Sequence, residues 1–237
     1  RRWGWLRARV PGDRVKAIAS LPRVQWVEER VEAELLNDQA VIGRHLNVTN
    51  VWAQYGINGQ GEIIGHADTG LDVGNFAGLH PDFTGRVVAV FARGRPDRWD
   101  DPNGHGTHTA GSILGSGTMS TGLIRGVAWG AGLVHQSVIS SWGGLGGLPS
   151  DLNELFLQAY TNGARIHANS WGTSVYGSYT TDSRQSDEFM WDYPEMLLVY
   201  AAGNDGWDSG DGVIDSYSIG SPASAKNVLA VGASEND

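Results

Sequence analysis

The chain has 237 residues, of which 34 are glycine and none is cysteine, and its formal net charge is −9 at pH 7. The lack of cysteine excludes disulfides, thiolate metal sites and a cysteine nucleophile. The acidic balance argues against a nucleic-acid-binding protein, which normally carries a basic surface, and no apolar run reaches the length of a membrane span. Low charge and high glycine content are typical of a compact α/β or β-rich enzyme with many tight turns.

Residues 1 to about 38 are rich in Arg and Glu and poor in Gly, unlike the rest of the chain. Apolar residues at helical spacing predict a helix over 14–21, with Asp13 as its N-cap and Pro22 ending it. Residues 24–29 predict a strand. This order indicates the end of a small α+β module over residues 1–38, followed by a larger domain over 39–237.

From about residue 40, glycine becomes frequent and short apolar runs recur between helical stretches. The runs predict strands over 62–68, 86–91, 132–138, 164–169, 196–201 and 227–231. A helix is predicted over 151–160, capped by Ser150 and closed by Gly163, and another over 181–191. Strands alternating with helices indicate an α/β fold with a mostly parallel sheet covered on both faces.

The first polar cluster follows the strand over 62–68. Asp68 ends this apolar run, and Thr69 and Gly70 turn the chain away. Open α/β sheets bind ligands at the carboxyl ends of their strands, so a carboxylate here suits a functional site. An Asx turn without functional role explains the same pattern.

The second cluster surrounds His105, which precedes a small-residue helix predicted over 107–114. A histidine fixed at a helix start suits a general base, which must lie within hydrogen-bonding reach of its partners. A metal site is an alternative, since His105 and His108 are three residues apart and Asp68 could be a third ligand, although no HExxH pattern is present. For His108 itself we favour a hydrogen-bonded core residue.

The third cluster follows the strand over 196–201, where the small residues Ala202 and Gly203 precede Asn204. An asparagine side-chain N–H at a sheet edge is a suitable donor to a developing oxyanion. On its own, an ordinary turn containing asparagine explains this segment better.

The three clusters present an Asp, a His and an Asn donor in this order, each at a strand-end turn. In this order the sequence resembles the subtilases of peptidase family S8, closest to the oxidatively stable alkaline protease subgroup. The resemblance covers about residues 40–237, and its motifs are highly specific. It rests on Gly59-Gln60-Gly61, His80-Pro81-Asp82-Phe83, His105-Gly106-Thr107-His108, Asn169-Ser170-Trp171-Gly172 and Ala201-Ala202-Gly203-Asn204, with 144–150 and 179–184 resembling the subgroup. It implies a three-layer αβα fold around a mostly parallel sheet, expected to be incomplete in this chain.

The resemblance also implies roles. Asp68 would orient His105, His105 would deprotonate a serine and later protonate the leaving amine, and Asn204 would donate to the oxyanion. The implied substrate-binding residues are Gly144, Leu145 and Gly146 on one strand, Ser170, Trp171 and Gly172 on a second, and Ala202 and Gly203 in the opposite wall of the specificity pocket. No cofactor is implied for catalysis. Residues 14–32 resemble the end of a subtilase propeptide, with a maturation cut near residues 36–40.

The chain departs from the family in two ways. The family's serine motif, Gly-Thr-Ser-Met-Ala, has no counterpart, and Ser174 and Ser120 lie in only partly similar segments that begin no small-residue helix. We therefore expect a chain truncated at both ends, which stops before its serine and is inactive alone. His66 replaces a residue that is apolar in the family and shares a strand face with Asp68. It could tune the aspartate or only pack, and we favour packing.

The leading prediction is a secreted, monomeric serine endopeptidase that acts on protein or peptide substrates with broad, mostly apolar preference. Its own propeptide is an expected partner, whereas nucleic acid and membrane are not. A structural Ca²⁺ ion is a further prediction, since an acidic, glycine-rich loop contains Asp205, Asp208, Asp211 and Asp215; a solvated loop explains this equally. Two alternatives stay open: an aspartic protease, which needs a pair of carboxylates, and a non-catalytic binding module.

Overall fold

A computed structural model describes residues 8–24, 27, 41, 46–206, 213 and 216–233 of the chain. The chain divides into two compact units, Arg1–Leu35 and Leu36–Asp237. This boundary lies slightly before residue 38, where the change of composition puts it.

In the first unit, helix α1 spans Gly12–Ala19. Its N-cap is Pro11, so the prediction of Asp13 as the cap is wrong. Proline suits a helix start because its φ is fixed near the helical value, and Asp13 lies in the first turn, where a carboxylate meets the positive end of the helix dipole. The strand predicted over 24–29 lies mostly outside the described residues.

The second unit is built on a six-stranded sheet in which all neighbouring strands run parallel. The strands are β1 (Ile63–Asp68), β2 (Val87–Ala92), β3 (Gly132–Ser137), β4 (Ile166–Asn169), β5 (Leu197–Ala201) and β6 (Leu229–Val231). Their order in the sheet is β2-β3-β1-β4-β5-β6. The six predicted strands are confirmed, with each end within two residues of its predicted place.

The described helices of the second unit are α2 (Val48–Tyr55), α3 (His105–Leu114), α4 (Leu152–Thr161) and α5 (Thr181–Asp192), with short 3₁₀ turns at Phe76–Gly78 and Thr118–Ser120. The cap of α4 is Asp151, not Ser150 as predicted; its carboxylate accepts a hydrogen bond from the N–H of Asn153. Adjacent Ser and Asp are both good caps, and the residue nearer the helix meets the free N–H groups of the first turn. None of the helices among the described residues has the length and hydrophobicity of a membrane span.

Different helices cover the two faces of the sheet. On one face, Ala67 of β1 packs in an apolar cluster with Leu155 and Phe156 of α4, both fully buried. Full burial of each such side chain contributes roughly 1.5–3 kcal/mol. On the other face, Leu133 of β3 packs with Leu114 of α3. The predicted three-layer αβα architecture is thus confirmed, with α3 on one face and α4 and α5 on the other.

The parallel strands bring their carboxyl ends to one edge of the sheet. β1 ends at Asp68, and its neighbour β4 ends at Asn169. The next strand, β5, ends at Ala201. Open α/β sheets bind ligands at this edge, so the fold positions the first and third predicted polar clusters, which follow β1 and β5, where a site is expected.

Candidate active site

Asp68 is the last residue of β1, and only 2% of its surface is exposed. Its Oδ1 atom accepts a hydrogen bond from the backbone N–H of Thr69 at 2.7 Å and lies 2.8 Å from Nδ1 of His105. Its Oδ2 atom lies 3.2 Å from the hydroxyl oxygen of Thr109 and 3.7 Å from Nε2 of His66. Both carboxylate oxygens are therefore held, and one of them faces the predicted general base.

These contacts also set the charge of Asp68. Burial favours the neutral acid and acts to raise the pKa of the carboxyl. The nearby His66 ring, whose Nε2 lies 3.7 Å from Oδ2, the hydrogen bond of His105 and the N–H of Thr69 outweigh burial and hold the pKa of Asp68 well below its ordinary value of 3.8. Asp68 is therefore a buried anion at neutral pH, the state that can hold an imidazole N–H.

His105 is the first residue of α3 and follows Gly104, whose φ of 89° favours glycine. The His105 side chain is 48% exposed, whereas the carboxylate that it contacts is buried. The ring therefore reaches from the interior towards solvent, with Nδ1 on Asp68 and Nε2 on the far side. An imidazole fixed in this way can act as a general base.

Asp101 ties the start of α3 to the end of β1. Its Oδ2 atom accepts hydrogen bonds from the N–H and the hydroxyl of Thr107, both at 2.7 Å. Its Oδ1 atom accepts from the hydroxyl of Thr69 at 2.8 Å and from the N–H of Gly104 at 2.9 Å. Thr69 is next to Asp68 and Gly104 is next to His105, so the carboxylate of Asp101 fixes the backbone beside both members of the Asp–His pair. Sequence reasoning missed Asp101; the available signal was an acid just before a turn and a helix start.

Close packing of α3 against the turn after β1 requires glycine at position 106. A Cβ atom there would lie 2.4 Å from the carbonyl oxygen of Gly70 and 3.1 Å from Cβ of Asp68. The N–H of Gly106 also donates to the hydroxyl of Thr69 at 2.9 Å. The small residue beside His105 thus lets the helix approach the aspartate.

His108 is exposed on α3, so the prediction of a core residue is wrong. Residues three apart lie on the same side of a helix. His108 therefore shares the side of His105, whose ring reaches towards solvent. The described residues contain no group of three or more His, Cys, Asp or Glu side chains suited to a metal ion. Of the four aspartates in the predicted calcium loop, only Asp205 lies among them, so calcium binding stays a prediction.

The remaining predicted site residues lie on loops at the same edge of the sheet. They follow β3 (Gly144, Leu145, Gly146), β4 (Ser170, Trp171, Gly172) and β5 (Ala202, Gly203, Asn204). Among the predicted site residues, all of which the structure describes, Asp68 and His105 are the only pair joined by a hydrogen bond to each other. The other residues are brought to the shared edge by the parallel order of the strands.

The loops after β4 and β5 are anchored by one side-chain hydrogen bond and one pair of backbone hydrogen bonds. The indole N–H of Trp171 donates to the carbonyl of Ala67 at 3.0 Å. Thr173 and Ser221 form an antiparallel bridge with N···O distances of 2.8 and 3.0 Å. Gly172, one residue earlier, is exposed, so its backbone can be reached from solvent.

Two serines with partly similar surroundings have other partners. The hydroxyl of Ser174 donates to the carboxylate of Asp205. The hydroxyl of Ser120 lies 3.0 Å from the carbonyl oxygen of Gly117 and 3.2 Å from that of Ile124. Both hydroxyls contact groups other than His105, which argues against either serine as the nucleophile.

Known proteins resemble this chain over most of its length. It is 33% identical over 195 residues to the serine protease/ABC transporter B family protein tagA of Dictyostelium discoideum, covering 78% of this chain and 11% of the relative. It is 29% identical over 192 residues to the serine protease AprX of Bacillus subtilis, covering 76% and 40%. An alkaline protease of Alkalihalobacillus alcalophilus is 28% identical over 223 residues, covering 94% and 52%. The chain thus spans about half the length of these relatives, or less.

Solved structures share the fold. A mutant of the protease domain of PatA matches with a TM-score of 0.53 and 24% identity, covering 77% of this chain and 61% of that one. The prenylagaramide maturation protease PagA matches with a TM-score of 0.52 and 22% identity, covering 78% and 57%. The subtilase family of peptidases, S8, matches residues 59–237, which include Asp68, His105 and Asn204. With its parallel sheet and its Asp–His pair at the carboxyl edge, the chain belongs to the subtilase family.

Proposed function

We propose that this chain is part of a serine endopeptidase in which Asp68 and His105 are two members of the catalytic triad. The nucleophilic serine is then supplied by the protein outside residues 1–237, and these residues alone are inactive. The observation that carries the proposal is the 2.8 Å contact between Oδ1 of Asp68 and Nδ1 of His105, with the carboxylate buried and ionised. Membership of a peptidase family supports the same chemistry.

In each step of the proposed peptide hydrolysis, His105 makes one proton transfer. Nε2 takes the proton of the serine hydroxyl as its oxygen attacks the peptide carbonyl, and Asp68 stabilises the imidazolium that forms. The imidazolium then gives this proton to the leaving amine, which yields an acyl-enzyme. A water molecule, deprotonated by the same nitrogen, releases the acid and restores the serine.

Asn204 is the proposed side-chain donor to the oxyanion of the tetrahedral intermediate. Substrate would bind as an added strand, with main-chain hydrogen bonds to the segments 144–146 and 170–172. The exposed backbone of Gly144, Gly146 and Gly172 supports this mode of binding. Because main-chain pairing reads no side chain, it fits a broad preference for protein and peptide substrates.

We also propose that residues 1–38 are the end of a propeptide and residues 39–237 the first part of the catalytic domain. The change of composition near residue 38 and the separation of the chain into two compact units support this division. Secretion and a monomeric state stay predictions.

The aspartic protease alternative is disfavoured by the surroundings of Asp68. Such enzymes use two carboxyl groups that share a proton, which raises the pKa of one of them. The described partners of Asp68 are instead imidazole, hydroxyl and amide groups, and its pKa is lowered.

The proposal is tested by peptide cleavage with the full-length protein that carries this chain. We expect the wild type to hydrolyse a casein or peptide-library substrate and His105→Ala to lower kcat by about 10⁴-fold or more. His108→Ala, an exposed histidine on the same helix, should retain activity. A folded wild-type protein without hydrolysis would favour the binding module, and equal loss in both variants would reject His105 as the base.

A further inference from the structure

His66 is a buried titratable side chain that the proposed mechanism does not use. It is 0% exposed, and it lies on β1 two residues before Asp68, on the same face of the strand. Its neighbours are polar rather than apolar. Nδ1 lies 3.1 Å from Nδ1 of His135, and Nε2 lies 3.0 Å from the hydroxyl oxygen of Thr109 and 3.7 Å from Oδ2 of Asp68. Packing, the role favoured from sequence, is therefore an incomplete description.

The strand register brings the two histidines together. His66 of β1 pairs directly with His135 of β3, and both are fully buried. Nε2 of His135 has no hydrogen-bond partner in the part of the chain that the structure describes. A buried polar atom without a partner costs stability, so an apolar pair would fill this volume at lower cost. Stability alone does not explain the histidine pair.

The surroundings of Thr109 indicate where the protons lie. Its hydroxyl carries one proton and faces three groups that only accept: Oδ2 of Asp68 at 3.2 Å and the carbonyl oxygens of His105 and Gly106, both at 3.1 Å. The hydroxyl is best satisfied by donating to one of them and accepting from Nε2–H of His66. A proton on Nε2 also faces the Asp68 carboxylate, whereas a bare nitrogen would set a lone pair against it.

We propose that His66 is a positioning residue for Asp68: with the hydroxyl of Thr109, its Nε2–H holds Oδ2 of the carboxylate, so that Oδ1 stays aimed at Nδ1 of His105. The inference rests on the proposed serine peptidase function, because a fixed Asp68 matters through the imidazole that it orients. Hydrogen bonds in series polarise one another, and His135 fixes the far side of the His66 ring.

His66 also influences the charge of Asp68. Burial raises the pKa of this carboxyl, and the His66 ring 3.7 Å away is the largest of the influences that lower it. The other titratable groups around His66 are His135 on β3, His105 on α3 and, on the opposite face of the sheet, His167 on β4. Burial holds the pKa of His135 well below 6.5, so its neutral ring adds no positive charge beside Asp68. Loss of His66 should therefore raise the pKa of Asp68.

The kinetic test compares three variants of the full-length protein. His66→Leu fills the space but donates no hydrogen bond, His66→Gln keeps an N–H, and His167→Leu removes an equally buried histidine whose Nε2 contacts Gln136 at 2.9 Å. We expect His66→Leu to lower kcat about tenfold with little change in KM, and to move the acid limb of the pH profile to higher pH. His66→Gln should recover most of kcat. Equal profiles for His66→Leu and His167→Leu would overturn the inference.

Nitrogen NMR of the histidine side chains separates this inference from the proposed function. In the full-length wild type we expect a proton on Nε2 of His66, identified by the loss of its signals in His66→Gln. The signals should shift in Thr109→Val and stay unchanged in His167→Leu. A bare Nε2 would overturn the positioning role even in an active peptidase. A protonated Nε2 in a protein that cleaves no peptide would uphold the contact with Asp68 and reject the peptidase function instead.

Discussion

The two halves of the candidate active site are built in different ways. At the end of β1 and the start of α3, Asp68 is buried and held on both oxygens, and Asp101 joins these two segments through Thr69 and Gly104. At the ends of β4 and β5, Gly172 and Asn204 are exposed on loops. The difference indicates that the proton-transfer pair is fixed before substrate arrives, whereas the peptide-binding half offers free backbone groups that a substrate strand would complete.

The largest effect should come from the fixed half. Asp68→Asn keeps the volume of the side chain but can turn an amide N–H₂ towards Nδ1 of His105, which favours the wrong tautomer. We expect kcat of the full-length protein to fall by about 10⁴-fold. Asp97→Asn is the control, since Asp97 is exposed and has a φ of 57° that asparagine also adopts. A loss of similar size in Asp97→Asn would show that the effect is not specific to the site.

A smaller effect is expected in the loop half. Asn204→Leu removes a proposed donor to the oxyanion, which is needed only in the transition state. We expect kcat to fall by about 10²–10³-fold with little change in KM, the size found when this kind of donor is removed from subtilisin. Steady-state kinetics decide the matter: a higher KM at unchanged kcat would assign Asn204 to substrate binding.

The contact between α3 and the turn after β1 can be broken by one methyl group. Gly106→Ala would place Cβ 2.4 Å from the carbonyl oxygen of Gly70, and such overpacking costs about 1–3 kcal/mol in the free energy of unfolding. We expect kcat to fall as well. Gly111→Ala on the same helix is the matched control, because its Cβ would meet no atom within 4 Å, and alanine there should stabilise the helix by about 0.5–1 kcal/mol. Urea unfolding of both variants measures this, and equal free energies would contradict the tight contact.

The buried histidines predict a dependence of stability on pH. Burial, followed by the charge of His66, lowers the pKa of His135 well below 6.5 and that of His167 to about 3. Below pH 6.5 the unfolded chain takes up these protons and the folded chain does not. Their contribution to stability is therefore complete above pH 6.5 and is lost as the pH falls towards the folded-state values, by up to about 1.4 kcal/mol per pH unit for each histidine.

Urea unfolding of the full-length protein from pH 7.5 to 4.5 measures this loss. His167→Leu removes one of the two groups, so its free energy of unfolding should fall less steeply with acidification than that of the wild type. Parallel curves would mean that His167 binds its proton equally well in the folded and unfolded states.

Local sequence patterns were sufficient to predict most of the strands and helices. The strand ends at Asp68 and Ala201 follow from apolar periodicity and turn residues, which act over a few positions. The helix predicted over 107–114 is present and begins two residues earlier, at His105. Errors arose where two local choices were nearly equal, as for the cap of α4. The prediction of a core position for His108 fails because the exposed face of α3 depends on how this helix packs on the sheet, which local sequence does not encode.

Contacts across elements were beyond sequence reasoning. Asp101 reaches Thr69 across 32 positions, and His66 meets His135 only through the register of β1 against β3. No local pattern encodes either pairing. His66 could be singled out as unusual for the family, but its polar partners could not be identified, and so packing was the simpler hypothesis.

The most direct test of this account is to find the nucleophile. The full-length protein is treated with a fluorophosphonate, which labels an activated serine, and the labelled residue is identified by peptide mass spectrometry. We expect one adduct, on a serine outside residues 1–237, which is absent in His105→Ala and retained in Ser174→Ala. An adduct on Ser174, or on any other serine within residues 1–237, would contradict the assignment of the triad.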